Sequence, residues 1–294
     1  MNLTPNSKVL LQGITEPLSS TYAARMKAYG TNVVAGVSPG EGGQTLDDTP
    51  MFDLVEQAIQ VVGPVDTTII FVPPYQALDA ALEAIAAGIR QLVITSVGMP
   101  PLDMVHLLRK AEATETLVVG PNSSGIIVPG KILLGTHASE FYTPGPVGMV
   151  SRSSTLTYEI ALQLTKSGLG QSIGVSIGSD AITGSSFLQW LQILDEDETT
   201  QAIVLIGEPS GNSEEAAAQY IAEAIDKPVI AYIVGCHAPA GKPWGHSGTL
   251  AAVFGRGADV GTAESKLAAF KQANIPLAEL PSQIPDLVKQ ALSK

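Results

Sequence analysis

Short apolar runs bounded by turn residues alternate with longer stretches of helical spacing along the whole chain. In the first half, 8–12, 32–37, 67–72, 91–95 and 116–119 read as strands, because each is a brief Val/Ile/Leu-rich run with turn residues at its ends. Between them, 19–29, 52–62, 76–88 and 101–112 carry helical spacing, with Gly30 and Gly88 as C-terminal stops. The stretch 141–146, Phe-Tyr-Thr-Pro-Gly-Pro, reads as a linker. The alternation then restarts. Strands are predicted over 147–150, 172–177, 201–206 and 228–233, and helices over 154–167, 185–194, 213–225, 263–273 and 283–292. This pattern predicts an α/β chain of two doubly wound parallel-sheet domains, residues 1–143 and 144–294. Ligands of such sheets bind at the C-terminal strand ends, so the chemistry is expected in the loops that follow the strands.

Composition narrows the function classes. Hydrophobic residues make up 45% of the 294 and charged residues 15%, enough to bury a sizeable core. The net charge of −12 argues against a nucleic-acid binder, which needs a basic surface to neutralise phosphates. Cys236 is the single cysteine, so no internal disulfide can form, and a reducing compartment is expected. No apolar run approaches the ~18 residues of a membrane span, and the N-terminus has no signal-like core. These features predict a soluble, cytoplasmic protein with no membrane or nucleic-acid partner. The four histidines and the cysteine show no metal-ligand spacing.

The chemistry concentrates in the second half. Gly245-His246-Ser247-Gly248 reads as a loop presenting one imidazole, which is partly neutral and nucleophilic at cellular pH. Flanking glycines would let a phosphoryl group approach it, while the plain alternative is a glycine-rich loop whose histidine makes a hydrogen bond. Glu208 follows the predicted strand 201–206 and could orient one imidazole nitrogen, or be a solvated loop residue. Ser153, Ser154 and Thr155 open a helix straight after a strand, which makes either an anion site or an ordinary N-cap. Asp180 lies in the glycine-bounded loop 178–184, whose simplest reading is a turn stabilised by the Asp side chain.

Gly120-Pro-Asn122, Val150-Ser-Arg-Ser153, Thr155-Leu-Thr-Tyr158, Gly207-Glu208, Ala238-Pro, Gly241-Lys242 and Gly245-His246 occur in that order. The chain thereby resembles the α subunit of succinate–CoA ligase over nearly its whole length. The resemblance implies an N-terminal Rossmann-like domain that binds coenzyme A, followed by a flavodoxin-like ligase domain. It implies a β subunit that holds Mg²⁺ and ATP or GTP, in a heterodimer or heterotetramer, and a route through an acyl phosphate and a phosphohistidine. His246 would carry the phosphoryl group, with Glu208 as its partner and Ser153 to Thr155 as phosphate cradle. Tyr158, Asn122 and Ser123 would lie near substrate. Thr15, Glu16, Pro17, Leu18, Ser19, Glu41, Thr95, Ser96 and Val97 would line the CoA site.

The departures from the family cluster in the first domain. The family's Thr-Gly-Ser-Gln-Gly loop is here Thr15-Glu16-Pro17-Leu18-Ser19, which adds an acid and removes one N–H donor. Glu41 stands in place of a lysine, and Ser96-Val97-Gly98 in place of Thr-Glu-Gly. Three readings follow: a succinate–CoA ligase subunit, a related ligase for malate, citrate or another small acid, or a non-catalytic paralogue with an altered CoA site. A dinucleotide oxidoreductase is disfavoured, because Gly13-Ile-Thr-Glu-Pro-Leu18 is not Gly-x-Gly-x-x-Gly.

Overall fold

In each half of the chain the strands leave a central pair in opposite directions, which is what a doubly wound sheet requires. The computed structural model describes residues 3–236 and 261–293, and it divides into two units. The first is Met1–His137 with Ile182–Gly184, and the second is Ala138–Ala181 with Ser185–Lys294.

The first unit runs β1 (Lys8–Gln12), α1 (Ser19–Tyr29), β2 (Asn32–Val37), β3 (Thr45–Leu46), β4 (Thr49–Phe52), α2 (Val55–Val62), β5 (Thr67–Ile70), α3 (Ala77–Ala86), β6 (Gln91–Ile94), α4 (Pro101–Ala113) and β7 (Leu117–Val119). A hairpin, β8 (Gly125–Val128) and β9 (Ile132–Gly135), follows. The seven-stranded sheet has the order β3-β4-β2-β1-β5-β6-β7, parallel except for β3 against β4. Apart from the short β3, this is the Rossmann-like order. Helix α3 shows how the small residues serve the packing. Ala77, Ala81, Ala84 and Ile85 are its buried stripe, and they join Leu10, Ile70, Leu92 and Ile94 of the strands in one core.

The second unit contains β10 (Pro144–Ser151), α5 (Ser154–Lys166), β11 (Gln171–Ser176), α6 (Phe187–Glu196), β12 (Ala202–Gly207), α7 (Ser213–Ala224) and β13 (Val229–Ile233). After the described residues resume come α8 (Ala263–Gln272), β14 (Leu277–Ala278) and α9 (Ile284–Leu292). Its parallel strands lie in the order β14-β13-β12-β10-β11, the flavodoxin-like arrangement. All six residues of β12 are buried, as expected of a strand covered on both faces. Among the described residues no helix is long and apolar enough to cross a membrane.

Several expectations need correction. The helix predicted over 52–62 begins only at Val55, because Phe52 ends β4 and pairs with Val37. Asp47 and Asp48, at φ 46° and 64°, form the tight turn that makes a hairpin of β3 and β4. The 141–146 linker is a short 3₁₀ turn, Ser139–Phe141, followed by the start of β10 at Pro144. There Pro144 and Val147 both face Gln171, so the Pro-Gly-Pro run is an irregular strand entrance rather than a connector. Gly145 is required there, since a Cβ would lie 1.8 Å from the Leu169 carbonyl oxygen. The helix predicted over 185–194 starts two residues later, where Ser186 and Gln189 form a capping box.

Leu205 lies fully buried in β12, at the centre of the second sheet. Leu205→Ala is expected to cost about 2–5 kcal/mol in urea denaturation. Val61→Ala, at a position 71% exposed, should change stability by less than ~0.5 kcal/mol.

Candidate active site at the sheet switch points

A doubly wound sheet opens a crevice where neighbouring strands send their connections to opposite sides. In the second unit that point lies between β10 and β12. Arg152 follows β10 and Glu208 follows β12, so the fold itself delivers a cation and a carboxylate to one sheet edge. Both are 5% exposed.

Arg152 ties three loops together. Its backbone N–H donates to the Ile206 carbonyl (3.0 Å), its Nη1 to the Ser210 carbonyl (3.2 Å) and its Nη2 to the Asp180 carbonyl (3.1 Å). Asp180 is itself buried, and its carbonyl serves as an anchor for the arginine. Among the described residues the Arg152 Nε has no hydrogen-bond partner, and neither has Glu208 Oε1. An arginine and a carboxylate that are buried yet keep unspent donor and acceptor capacity are the polar groups a site needs. Burial pushes the Glu208 carboxyl up to about 7, with Arg152 pulling it down, Glu214 pushing it up and Lys266 pulling it down. A carboxyl near 7 can take and release a proton at cellular pH.

Beside it, α5 begins at Ser154 with Ser153 in the N-cap position. The Ser153 side chain makes no capping hydrogen bond. The Ser151 hydroxyl instead organises this turn, accepting from the Ser153 N–H (3.0 Å) and from Thr157 Oγ1 (2.6 Å) and donating to the Ser153 carbonyl (2.9 Å). Ser154 is half-buried and Thr155 exposed, so the first-turn amides face an accessible edge. Tyr158, one turn on, sets its ring 6.2 Å from that of Phe141. His246 lies outside the described residues.

In the first unit the switch point lies between β1 and β5. The loop after β1 turns through Glu16 N–H to the Gly13 carbonyl and Ser19 N–H to the Glu16 carbonyl, both 3.0 Å. Ser19 is buried and opens α1, Thr15, Pro17 and Leu18 are exposed, and Glu16 is half-buried. Leu18 holds φ at 69°, a left-handed conformation that suits glycine better. Thr15 Oγ1 donates to Ser38 Oγ (3.0 Å), joining the β1 and β2 loops. Glu41 is half-buried and accepts a hydrogen bond from Gln44 Nε2. The hydroxyls of Thr95 and Ser96 are spent on the Ile70 and Val72 carbonyls, while Val97 is 60% exposed. The Ser96 carbonyl accepts the Asn122 N–H (2.8 Å), and Ser123 Oγ accepts the Gly125 N–H (2.8 Å). Glu16, Glu41, Thr95 and Ser96 therefore share one edge of the first sheet. Asn122 and Ser123 belong to the first unit and Tyr158 to the second.

The comparisons with known proteins fall on the same two units. A CoA binding domain matches residues 4–98 and a CoA-ligase domain residues 150–275. The ADP-forming succinate–CoA ligase subunit alpha 2 of Archaeoglobus fulgidus is 42% identical over 286 residues, 97% of either chain. The chain belongs to the succinate–CoA ligase α-subunit family. Another relative is the malate–CoA ligase subunit alpha of Methylorubrum extorquens, 43% identical over 251 residues and 84% of either chain. The fold of the family recurs in ATP citrate lyase from Methanothrix soehngenii, with a TM-score of 0.89 at 22% identity. All of this chain is matched there, and half of the lyase chain. The Rossmann-like and flavodoxin-like expectations thus hold for this family member, in strand order as well as in domain content.

Sequence reasoning passed over Arg152, Glu214 and Lys266. The arginine's place directly after an apolar run was a usable signal. The lysine sits at the polar start of the predicted helix 263–273, where a lysine is ordinarily solvated, yet its side chain is fully buried.

Glu208 makes stability depend on pH. Its folded value is raised, so between about 4.5 and about 7 the folded chain holds a proton that the unfolded chain has released. Stability therefore falls as pH rises through that window. Glu208→Gln removes the penalty. It should gain on the order of 1–3 kcal/mol over the parent at about pH 8 and much less at about pH 5. Urea denaturation at the two pH values measures the difference.

Proposed function

We propose that this chain is the α subunit of an ADP- or GDP-forming acid–CoA ligase, with succinate as the acid. The observation that carries the reading is the buried, desolvated Glu208 beside Arg152 and the α5 N-terminus at the second switch point, in a chain of this family. In this reading His246 accepts a phosphoryl group from a nucleoside triphosphate held with Mg²⁺ on a β partner. The group then moves to the acid carboxylate. The CoA thiol attacks the resulting acyl phosphate, forming the thioester and releasing orthophosphate. Glu208 orients the imidazole and takes its proton. Arg152 and the first amides of α5, over Ser153, Ser154 and Thr155, stabilise the phosphoryl charge. In the second unit Tyr158 contacts substrate, and in the first unit Asn122 and Ser123 do.

Coenzyme A takes the β1–β5 crevice of the first unit, along Thr15–Ser19, Glu41 and 95–97. The backbone there suits it. Helix α1 starts without a side-chain cap; its Ser19 N–H is spent on the Glu16 carbonyl, and the amides that follow are left for a phosphate. The side chains suit it less, since Glu16 and Glu41 oppose an anion. Each should weaken binding by about 0.5–1 kcal/mol. The Archaeoglobus relative's name favours succinate and the Methylorubrum relative's favours malate, so turnover with each acid separates the two.

Two outcomes check the reading. With the β partner, Mg²⁺ and labelled nucleoside triphosphate, an acid-labile, base-stable label should map to His246, and His246→Asn should abolish it. Label on another histidine, or label persisting in the variant, contradicts the assignment. By calorimetry, Glu41→Lys should tighten CoA binding, and unchanged or weaker binding would remove Glu41 from the site.

A further inference from the structure

Behind Glu208 lies a buried ion pair to which the proposed reaction gives no part. Lys266, on α8, and Glu214, on α7, are both fully buried. The lysine Nζ contacts Glu214 Oε2, and donates to Glu215 Oε2 (3.1 Å) and to the Gly211 carbonyl (3.0 Å). An ammonium has three N–H donors, and all three are engaged. Glu214 Oε2 also accepts from Ser213 Oγ (2.9 Å). Its other oxygen, Oε1, accepts the backbone N–H of Glu208 (3.1 Å).

The chain makes room for this contact. A Cβ at Gly207 would stand 2.6 Å from Glu214 Cγ and 2.8 Å from Ile233 Cδ1, so glycine is needed where the carboxylate reaches the Glu208 amide. The surrounding loop is held from the same side. Glu215 Oε1 accepts from Gly261 N–H (3.0 Å) and Ser265 Oγ (2.7 Å), and the Gly261 carbonyl accepts the Ser210 N–H (2.9 Å).

Buried ion pairs seldom improve stability over apolar side chains of similar size, because desolvation offsets their attraction. Packing α7 against α8 therefore does not by itself call for this pair. Among the described residues, its contact to a group of the site is the one from Glu214 to the Glu208 amide. We propose that Glu214 and Lys266 are positioning residues for Glu208: Glu214 fixes the Glu208 backbone through its amide, and the Lys266 ammonium cancels the Glu214 charge so that the Glu208 carboxylate can ionise. This rests on the proposed role of Glu208 as the partner of His246.

Among the described residues, the charges facing Glu208 are Arg152 at the end of β10, Glu214 on α7 and Lys266 on α8. Glu214 raises the Glu208 value and Lys266 lowers it, so removing one or the other has opposite effects. Lys266→Met leaves Glu214 uncompensated and makes Glu208 harder to ionise. Glu214→Gln keeps the acceptor for the Glu208 amide, removes the repelling charge and makes ionisation easier.

The test is the rate of His246 labelling against pH in the complex with the β partner, for the parent, both single variants and the double variant. The acid limb should move up by about one pH unit in Lys266→Met and down by a similar amount in Glu214→Gln. The double variant should fall between them. A role in folding alone would lower the yield of complex without moving the limb. Limbs that coincide with the parent, or that move the same way in both variants, overturn the proposal. If Lys266→Met does not assemble, Glu214→Gln decides alone by the direction of its shift. If the parent takes no label on His246, the phosphohistidine reading fails, and the pairing is judged instead by carboxyl ¹³C NMR titration of Glu208. The same opposite shifts support it, and a midpoint common to parent and variants refutes it.

Discussion

One desolvated carboxylate sets the terms for the second half of this molecule. Glu208 follows a strand whose six residues are all buried, so its backbone has little freedom, and its side chain is 5% exposed. Taking a carboxylate out of water costs several kcal/mol unless other groups compensate. Here the compensation is partial. Arg152 and Lys266 favour the ionised form, while burial and Glu214 oppose it, and the balance leaves the group near 7. A fully satisfied carboxylate would stay ionised and inert, and an uncompensated one would stay protonated. The value between them is useful in proton transfer.

Much of the neighbouring structure exists to hold that balance. Arg152 could not remain buried without the Ser210 and Asp180 carbonyls that accept its guanidinium. Glu214 could not reach the Glu208 amide if Gly207 carried a side chain. Deleting one partner of the Glu214–Lys266 pair would strand the other, at a cost of about 3–5 kcal/mol. The first unit applies the same architecture to a different end. Its crevice lies between β1 and β5, but the hydroxyls of Thr95 and Ser96 are turned to the backbone, and the loop after β1 exposes Pro17 and Leu18 beside Thr15. Acids at positions 16 and 41 leave backbone amides as the main anion donors of that edge.

The sequence makes some of this plain and hides the rest, for physical reasons. Strands buried on both faces are short apolar runs, so the parallel strands and the loops after them could be read directly. Glu208 and Ser153 were found because each follows such a run. The β3–β4 and β8–β9 hairpins were not read. Asp47-Asp48 is a less obvious turn than Asn-Gly, and Ile126-Ile-Val and Ile132-Leu-Leu are wholly or largely buried and show no alternation. Lys266 could not have been identified, because a lysine in the polar first turn of a helix is ordinarily solvated. Its burial depends on Glu214 and Glu215, some fifty residues earlier.

The most direct measurement is steady-state turnover of succinate, CoA and nucleoside triphosphate by the complex of this chain with its β partner, comparing the parent with Glu208→Gln. The account predicts that kcat falls by about 10²–10⁴-fold, the usual contribution of a positioned proton acceptor, with little change in KM for CoA or succinate. A variant that turns over at the parent's rate would contradict it.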